Sequence, residues 1–514
     1  MIDAVELELF SARFEAVAGE MGELLRHTAL STNIKQRLDF SCAILDRAGR
    51  LVVNAPHIPV HLGALGLCVR ELGRTVRFEP GDTVVTNHPA FGGSHLPDVT
   101  LVTPVFVEGW TGPLAFVANR AHHAEIGGRR PGSVPADATR LVEEGVVIPP
   151  THLVRAGEPR WAELEERLTA GRHPSRAPAD NLADLLAQLA ANRRGVRRLG
   201  ELAAAHGPTA VAGHLEALRG RAAELMGDAL EKLPDGVREG REQLDDGTPL
   251  EVRVTVVGRT ATVDFSGSGG VHPGNLNATP AIVTSAVLYV LRLLVGHELP
   301  LNEGLLEPVE LIIPPGLLNP PFVADPERCP AVVGGNVETS QRLVDVLVAA
   351  LGLAASSQGT MNNVIFGNAR FGFYETVGGG AGAGPGFDGA DAVHVHMTNT
   401  RLTDAEVMEH RFPVRVRRCA VRRGSGGGGR WRGGDGIVRE LEFLAPLELS
   451  LLAQRRTAGP PGAAGGRPGA AGRQWLERAD GRVEQLPGIA DVEVGPGDRL
   501  VLETPGGGGW GTPE

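Results

Sequence analysis

Apolar residues at Leu7, Phe10, Phe14, Val17, Met21, Leu24 and Leu25 recur in steps of three and four, which predicts one long amphipathic helix over 3–30. The period then shortens. Residues 40–45 and 50–54 flank Asp46-Arg-Ala-Gly49, the pattern of a β-hairpin. A helix is expected at 64–75, and strands at 83–86, 99–107 and 114–118. The stretch 125–180 is rich in turn signals such as Gly127-Gly128, Arg130-Pro131-Gly132 and Ile148-Pro149-Pro150. Two helices follow at 181–204 and 208–232, parted by Gly207-Pro208, then strands at 249–257 and 260–266 and helices at 279–295 and 336–353. From about 370 the helical period fades. Short strands alternate with glycine clusters at 378–380, 424–429, 433–434, 465–466 and 506–509, which differ in context and read as separate turns. No repeat of fixed period is present. The pattern is that of an α+β chain in four parts: an N-terminal sheet region (1–180), a helical segment (181–235), a central α/β region (236–370) and a β-rich, glycine-rich region (371–514).

Composition narrows the function. With 514 residues, 42% of them apolar, the chain can bury a large core. A net charge of −11 without a basic stripe argues against nucleic-acid binding. The longest apolar run, 281–295, is interrupted by Arg292 and too short for a bilayer, and the acidic start is unlike a secretory signal, so no membrane role is expected. Cys42, Cys68, Cys329 and Cys419 are far apart, which gives neither a disulfide framework nor a zinc finger and fits a reducing cytoplasm. Lysine occurs only at Lys35 and Lys232, so no phosphate-loop lysine stands in a glycine-rich stretch. GxSxG, HExxH and a properly placed GxGxxG are also missing. Any nucleotide chemistry has to come from another chain.

Candidate chemistry concentrates between Asn87 and Gly128. The segment reads Asn87-His-Pro-Ala-Phe-Gly-Gly-Ser-His95-Leu-Pro-Asp98 and, one hairpin later, Asn119-Arg-Ala-His122-His123-Ala-Glu125-Ile-Gly-Gly128. His95 and Asp98, three apart on a stiff Leu-Pro link, can point one way. His122 or His123 would complete a 2-His-1-carboxylate face, and only one of the two can face it if the segment is a strand. Such a set suits Mn, Fe, Zn or Co. The alternative is ordinary hydrogen-bonded histidines. Glu125 reads either as a general base or as a loop carboxylate. A second cluster places Lys35 and Arg37 beside Asp39, as substrate-carboxyl binders or as a structural ion pair. His57 and His61 flank Ile-Pro-Val and read as loop residues unless that loop faces the site. A third cluster is rich in amides and includes Asn336, Glu338, Gln358 and Asn362, a candidate substrate pocket or a loop-stabilising network. His394 and His396 would share a face if they lie on a strand.

The ordered series NIKxRxDFSCAIxD (33–46), HIPVHLG (57–63), GGSHLPDVT (92–100), HHAxIGG (122–128), GNLNA (274–278), VVGGNVETSQR (332–342), QGTMNN (358–363), YETVGGG (374–380), HMTNTRLTDAEVMEHRFPVRV (396–416) and TPGGGGWG (504–511) resembles the hydantoinase B/oxoprolinase family along nearly the whole chain. The resemblance implies the B component of an ATP-dependent cyclic-amide hydrolase. It implies a partner of the hydantoinase A type that binds ATP and Mg, and a substrate such as a hydantoin, 5-oxoproline or a lactam. It also implies a divalent ion (Mn, Zn or Fe) on His95, Asp98 and His122, with His123 as competitor, whose activated water opens a ring phosphorylated on its carbonyl. Beside this stand the readings of the residues themselves, Glu125 as a catalytic group and Lys35, Arg37, Asn336, Glu338, Gln358 and Asn362 as substrate contacts. The more distant acetone carboxylase alpha subunit supplies the alternative, a ketone carboxylase. The chain departs from the family pattern in having His88 where an acid is usual, a possible additional ligand, and Glu125 in place of aspartate.

Overall fold

The computed structural model describes residues 3–55, 58–296 and 299–513. His57 therefore lies outside the described residues.

The first helix runs Ala4–Thr28 and buries Phe10, Phe14, Val17, Met21 and Leu25, the stripe its period predicts. It packs beside the long helix Pro178–His206. Both cover one face of a seven-stranded antiparallel sheet with the order Leu51–Asn54, Phe40–Asp46, Ala115–His122, Asp98–Val105, Thr83–Thr86, Thr151–Arg155 and Glu158–Pro159. The helix Leu62–Thr75 packs over the other face through Leu65, Cys68, Val69 and Leu72, against Ala43, Leu45 and Val102. Covered on both sides, the central strands are buried at every position, so their sequence shows apolar runs in place of alternation.

The expected helices and strands of this half are present with shifts of a few residues at their ends. Between 125 and 180 the turn signals hide real elements: the strand Thr151–Arg155 and the helix Trp161–Thr169, whose Leu164 and Leu168 are buried. A second sheet carries Val309–Ile312, Thr260–Asp264, Pro249–Val257 and Gly236–Gln243, the last of these an unexpected strand. Its charged sequence, Gly-Val-Arg-Glu-Gly-Arg-Glu-Gln, is mostly exposed at a sheet edge, where apolar alternation is not required. The helices Pro280–Leu294 and Ser340–Ala350 pack together in its core.

The C-terminal part is β-rich, with two antiparallel sheets of four and five strands and one short helix, Ala405–Arg411. The whole is α+β. Its largest core joins Ile58 and Val60 from the first part, the helices of the second and Ile365, Tyr374, Met397 and Leu452 from the third. All three meet at one place.

Candidate metal centre

In the central sheet Asp98 opens one strand and His122 closes its neighbour, and the two are directly paired in register. Residues opposite each other in an antiparallel pair share a face, so both side chains point the same way. Backbone geometry fixes the ends. His122 N–H donates to the Asp39 carbonyl at 3.0 Å, and Asp98 N–H to the His95 carbonyl at 3.2 Å. That turn brings the His95 ring over the same face, with the His95 and His122 ring centroids 5.0 Å apart.

His95, Asp98 and His122 are buried, and one ligand atom from each lies within 4.8 Å of the others. His95 Nδ1 and Nε2, Asp98 Oδ1 and His122 Nε2 have no hydrogen-bond partner. His95 Nδ1 stands 3.2 Å from Asp98 Oδ2 but is not aligned for a hydrogen bond. Buried polar atoms are almost always paired, so a convergent set of unpartnered ligand atoms is what a divalent ion would satisfy. The residues present fit the metal.

The supporting groups aim the set. Asp98 Oδ2 accepts from Ser94 Oγ at 2.5 Å and pairs with His61 Nε2 at 3.2 Å, while His61 Nδ1 meets Ser41 Oγ at 3.0 Å. This occupies one carboxylate oxygen and leaves Oδ1 facing the cavity, the arrangement by which outer partners orient a ligand. Burial raises the Asp98 carboxyl, but the adjacent His95 and His61 outweigh it and hold the group well below the usual carboxylate range. Burial, reinforced by His95, depresses His122 well below an ordinary imidazole. His122 stacks on Tyr374 with centroids 4.8 Å apart and planes 6° apart, and the Arg37 guanidinium sits 4.8 Å from the same tyrosine ring. Asp39, 3.8 Å from His122 Nδ1 and 3.6 Å from Arg37 Nη1, adds a second carboxylate.

The other candidates fall elsewhere. His123 projects to the opposite face, as strand alternation requires, and meets Gln188 Oε1 and Asn181 Nδ2 at 3.1 Å each in a network that includes Asn119 and Asn192. Glu125 accepts from Gly127 N–H (2.6 Å), Gly132 N–H (2.8 Å) and Arg176 (3.1 Å), clamping its own loop away from the triad cavity. His88 is also apart: its Nδ1 accepts from Ala90 N–H and its ring packs on Phe91 and Phe322. Lys35 is exposed, whereas Arg37 is fully buried and donates to the Tyr374 carbonyl, Thr376 and Thr400. Asn336 lines the triad cavity. Glu338 lies behind it, accepting from Met361 N–H and Asn363, with burial raising its carboxyl to about 8. Gln358 and Asn362 bond each other, and Asn362 also accepts from Arg456, outside the cavity lining. His394 and His396 lie in an irregular segment and not on a strand, with His396 Nε2 turned 3.1 Å from Asp345 Oδ1.

Sequence alone does not single out Ser94 and Tyr374 as site residues, and it shows Asp39 only as part of an ion pair. The signal for Asp39 is its place at the start of a strand neighbouring the His122 strand. The His57–His61 loop does face the site through His61.

The chain belongs to the hydantoinase B/oxoprolinase family, whose model matches residues 3–513. It is 42% identical to 5-oxoprolinase 1 of Arabidopsis thaliana over 99% of its own length, and spans 42% of that protein. It therefore covers about two fifths of the 5-oxoprolinases it matches. By contrast it spans 90% of the B component of a putative D-/L-hydantoinase from a Pseudomonas strain, at 30% identity over the whole chain. Among solved structures, the ATP-dependent caprolactamase of Pseudomonas jessenii superposes with a TM-score of 0.88 and 27% identity, over 100% of this chain and 92% of that one.

Proposed function

We propose that this chain is the metal-bearing part of an ATP-dependent hydrolase of cyclic amides and works with a separate ATP-binding polypeptide. The observation that carries the reading is the buried triad His95, Asp98 and His122, with its ligand atoms unpartnered, inside a chain homologous to 5-oxoprolinases. The extra length of those relatives supports a partner, since this chain spans two fifths of them and nearly all of a protein named as one component of a hydantoinase. No helix among the described residues is long and apolar enough to cross a membrane.

A divalent ion held by the triad would supply Lewis-acid activation of water near neutral pH. The chain's own groups do the rest. Ser94 and His61 hold Asp98 in place, Tyr374 fixes the plane of His122, and Asp39 offers a carboxylate that burial inclines towards its protonated form. Ile58, Val60, Val337, Met361 and Met397 give the cavity beside the triad an apolar wall.

The test is ADP and ring-opened product measured with the chain co-purified with its ATP-binding partner, offered hydantoin, 5-oxoproline and caprolactam with and without bicarbonate. Ring-dependent ADP release matched by opened product is expected, and loss of both bound metal and turnover in His95→Ala. Bicarbonate-dependent consumption of acetone with no response to any ring would overturn the hydrolase reading in favour of a carboxylase.

A further inference from the structure

The wall of the triad cavity has a simple polar inventory once the three ligands are set aside. His61 is paired with Ser41 and Asp98. Tyr374 Oη donates to Asn363 Oδ1 at 2.8 Å, Thr376 and Thr398 bond Thr400, and Asp39 lies 3.6 Å from Arg37. Besides the Asp39 carboxylate, which is held only by ion pairs with Arg37 and His122, what remains among the described residues is Asn336, whose buried Oδ1 has no partner. Its backbone is firmly placed. It sits in a single π-helical turn, Gly335–Thr339, ahead of the helix Ser340–Ala350, a distortion frequent at functional sites. Gly335 N–H donates to the Asn275 carbonyl at 3.0 Å, and the Asn336 carbonyl accepts from Ser340 Oγ at 2.5 Å.

We propose that the Asn336 carboxamide recognises the cis edge of a small cyclic amide, Oδ1 accepting the ring N–H and Nδ2 donating to the ring carbonyl oxygen. This rests on the hydrolase reading. A small ring forces N–H and C=O onto one edge, whereas an open-chain amide is trans and presents them on opposite sides. A flat carboxamide, one acceptor beside two donors, matches the cis edge with two parallel hydrogen bonds and a trans amide with only one. The pairing would therefore select rings over peptides. The cavity of about 10 Å³ admits one water, and a ring is larger. Two of its walls are the unbranched, adaptable side chains of Met361 and Met397, and the ring enters by displacing them.

The experiment uses the full chain with its ATP-binding partner. Hydantoin, 5-oxoproline and caprolactam are each compared with the derivative methylated on the nitrogen of the scissile amide. For a ring that is opened, N-methylation lowers kcat/KM about tenfold in the parent, the worth of one neutral hydrogen bond. Asn336→Leu lowers kcat/KM for the unmethylated ring by about thirtyfold to a hundredfold, the loss of two such bonds, and erases the methyl discrimination. Its metal content stays that of the parent. Asn336→Ser serves if the leucine variant does not fold, and the methyl comparison needs no variant. Rings opened equally well with and without the methyl group, or by parent and variant alike, would remove the role of Asn336 and leave the hydrolase reading standing. A parent complex that opens no ring would overturn both.

Discussion

Glu144 offers a sharp test of how the site is held. It ends the short helix Leu141–Glu144, is fully buried, and accepts from Val332 N–H at 2.9 and 3.1 Å and from Val333 N–H at 2.9 Å. Those two residues lead directly into Gly334, Gly335 and Asn336, so this carboxyl anchors the entry to the turn that carries Asn336. Burial raises its pKa from 4.5 to about 8, and the two backbone donors only partly offset that. Between those values the folded state keeps a proton that the unfolded chain has lost. The stability Glu144 contributes is thus complete below pH 4.5 and is lost as pH rises through 8, at about 1.4 kcal/mol per pH unit. By pH 7 the loss is about 3 kcal/mol. A chain of 514 residues has an unfolding entropy of about 1 kcal/mol/K, so the melting temperature moves about 1 °C per pH unit from this group. Glu144→Gln keeps one oxygen to accept the amides and removes the titration. Any misfit of its NH2 group is the same at every pH. In calorimetric scans of parent and variant at pH 5, 6, 7 and 8, the variant-minus-parent difference should climb by about 3 °C in all. A difference flat to within about 1 °C would mean that the carboxyl ionises normally in the fold, and that the anchor is a solvated ion and not a neutral acid.

Two further outcomes separate positions that look alike in sequence. His122→Ala should lose bound metal, measured by elemental analysis. His123→Ala should keep the metal but melt about 2–6 °C lower, because Gln188 and Asn181 each lose a buried partner at about 1–3 kcal/mol apiece. Metal loss in His123→Ala with full occupancy in His122→Ala would reverse the assignment. Gly335→Ala should abolish ring turnover and lower the yield of folded protein, since an added Cβ would lie 1.8 Å from the Asn277 carbonyl oxygen. A soluble, fully active alanine variant would show that the turn can shift without consequence.

Periodicity located the long helices and the hairpin that carries the site, because those elements bury a regular stripe or run. It did not expose Gly236–Gln243, a largely exposed edge strand, or the helix Trp161–Thr169, which buries little more than Leu164 and Leu168. The pair His95 and Asp98 on a short stiff link was legible, with one of His122 and His123 as a third candidate, although the expected strand at 114–118 stopped short of both histidines and the observed one runs to His122. The choice between His122 and His123 needed the strand register, because alternation says that they diverge but not which one shares the face of Asp98. Asp39, Tyr374 and Asn336 come from three distant parts of the chain, and their meeting at the cavity is a property of the packed core that no local pattern encodes.

The glycine clusters show the same principle from the other side. Read as separate turns, they in fact converge. A Cβ on Gly380 would lie 2.0 Å from the Gly434 carbonyl oxygen and 2.3 Å from Gly507 N, and one on Gly507 would lie 1.9 Å from the Ala381 carbonyl oxygen. Segments 378–382, 433–434 and 506–509 thus lie backbone against backbone, joined by Gly380 N–H to the Pro505 carbonyl, Gly434 N–H to Ala381 and Gly507 N–H to Gly434. No side chain could be inserted there without parting them. Gly379 N–H in turn donates to the Val393 carbonyl, and Val393 N–H to the Gly379 carbonyl. That bridge anchors the irregular segment that carries Met397 and Thr398 to the triad cavity. The glycine-rich end of the chain, far in sequence from His95, Asp98 and His122, is therefore the mechanical support of one wall of their site.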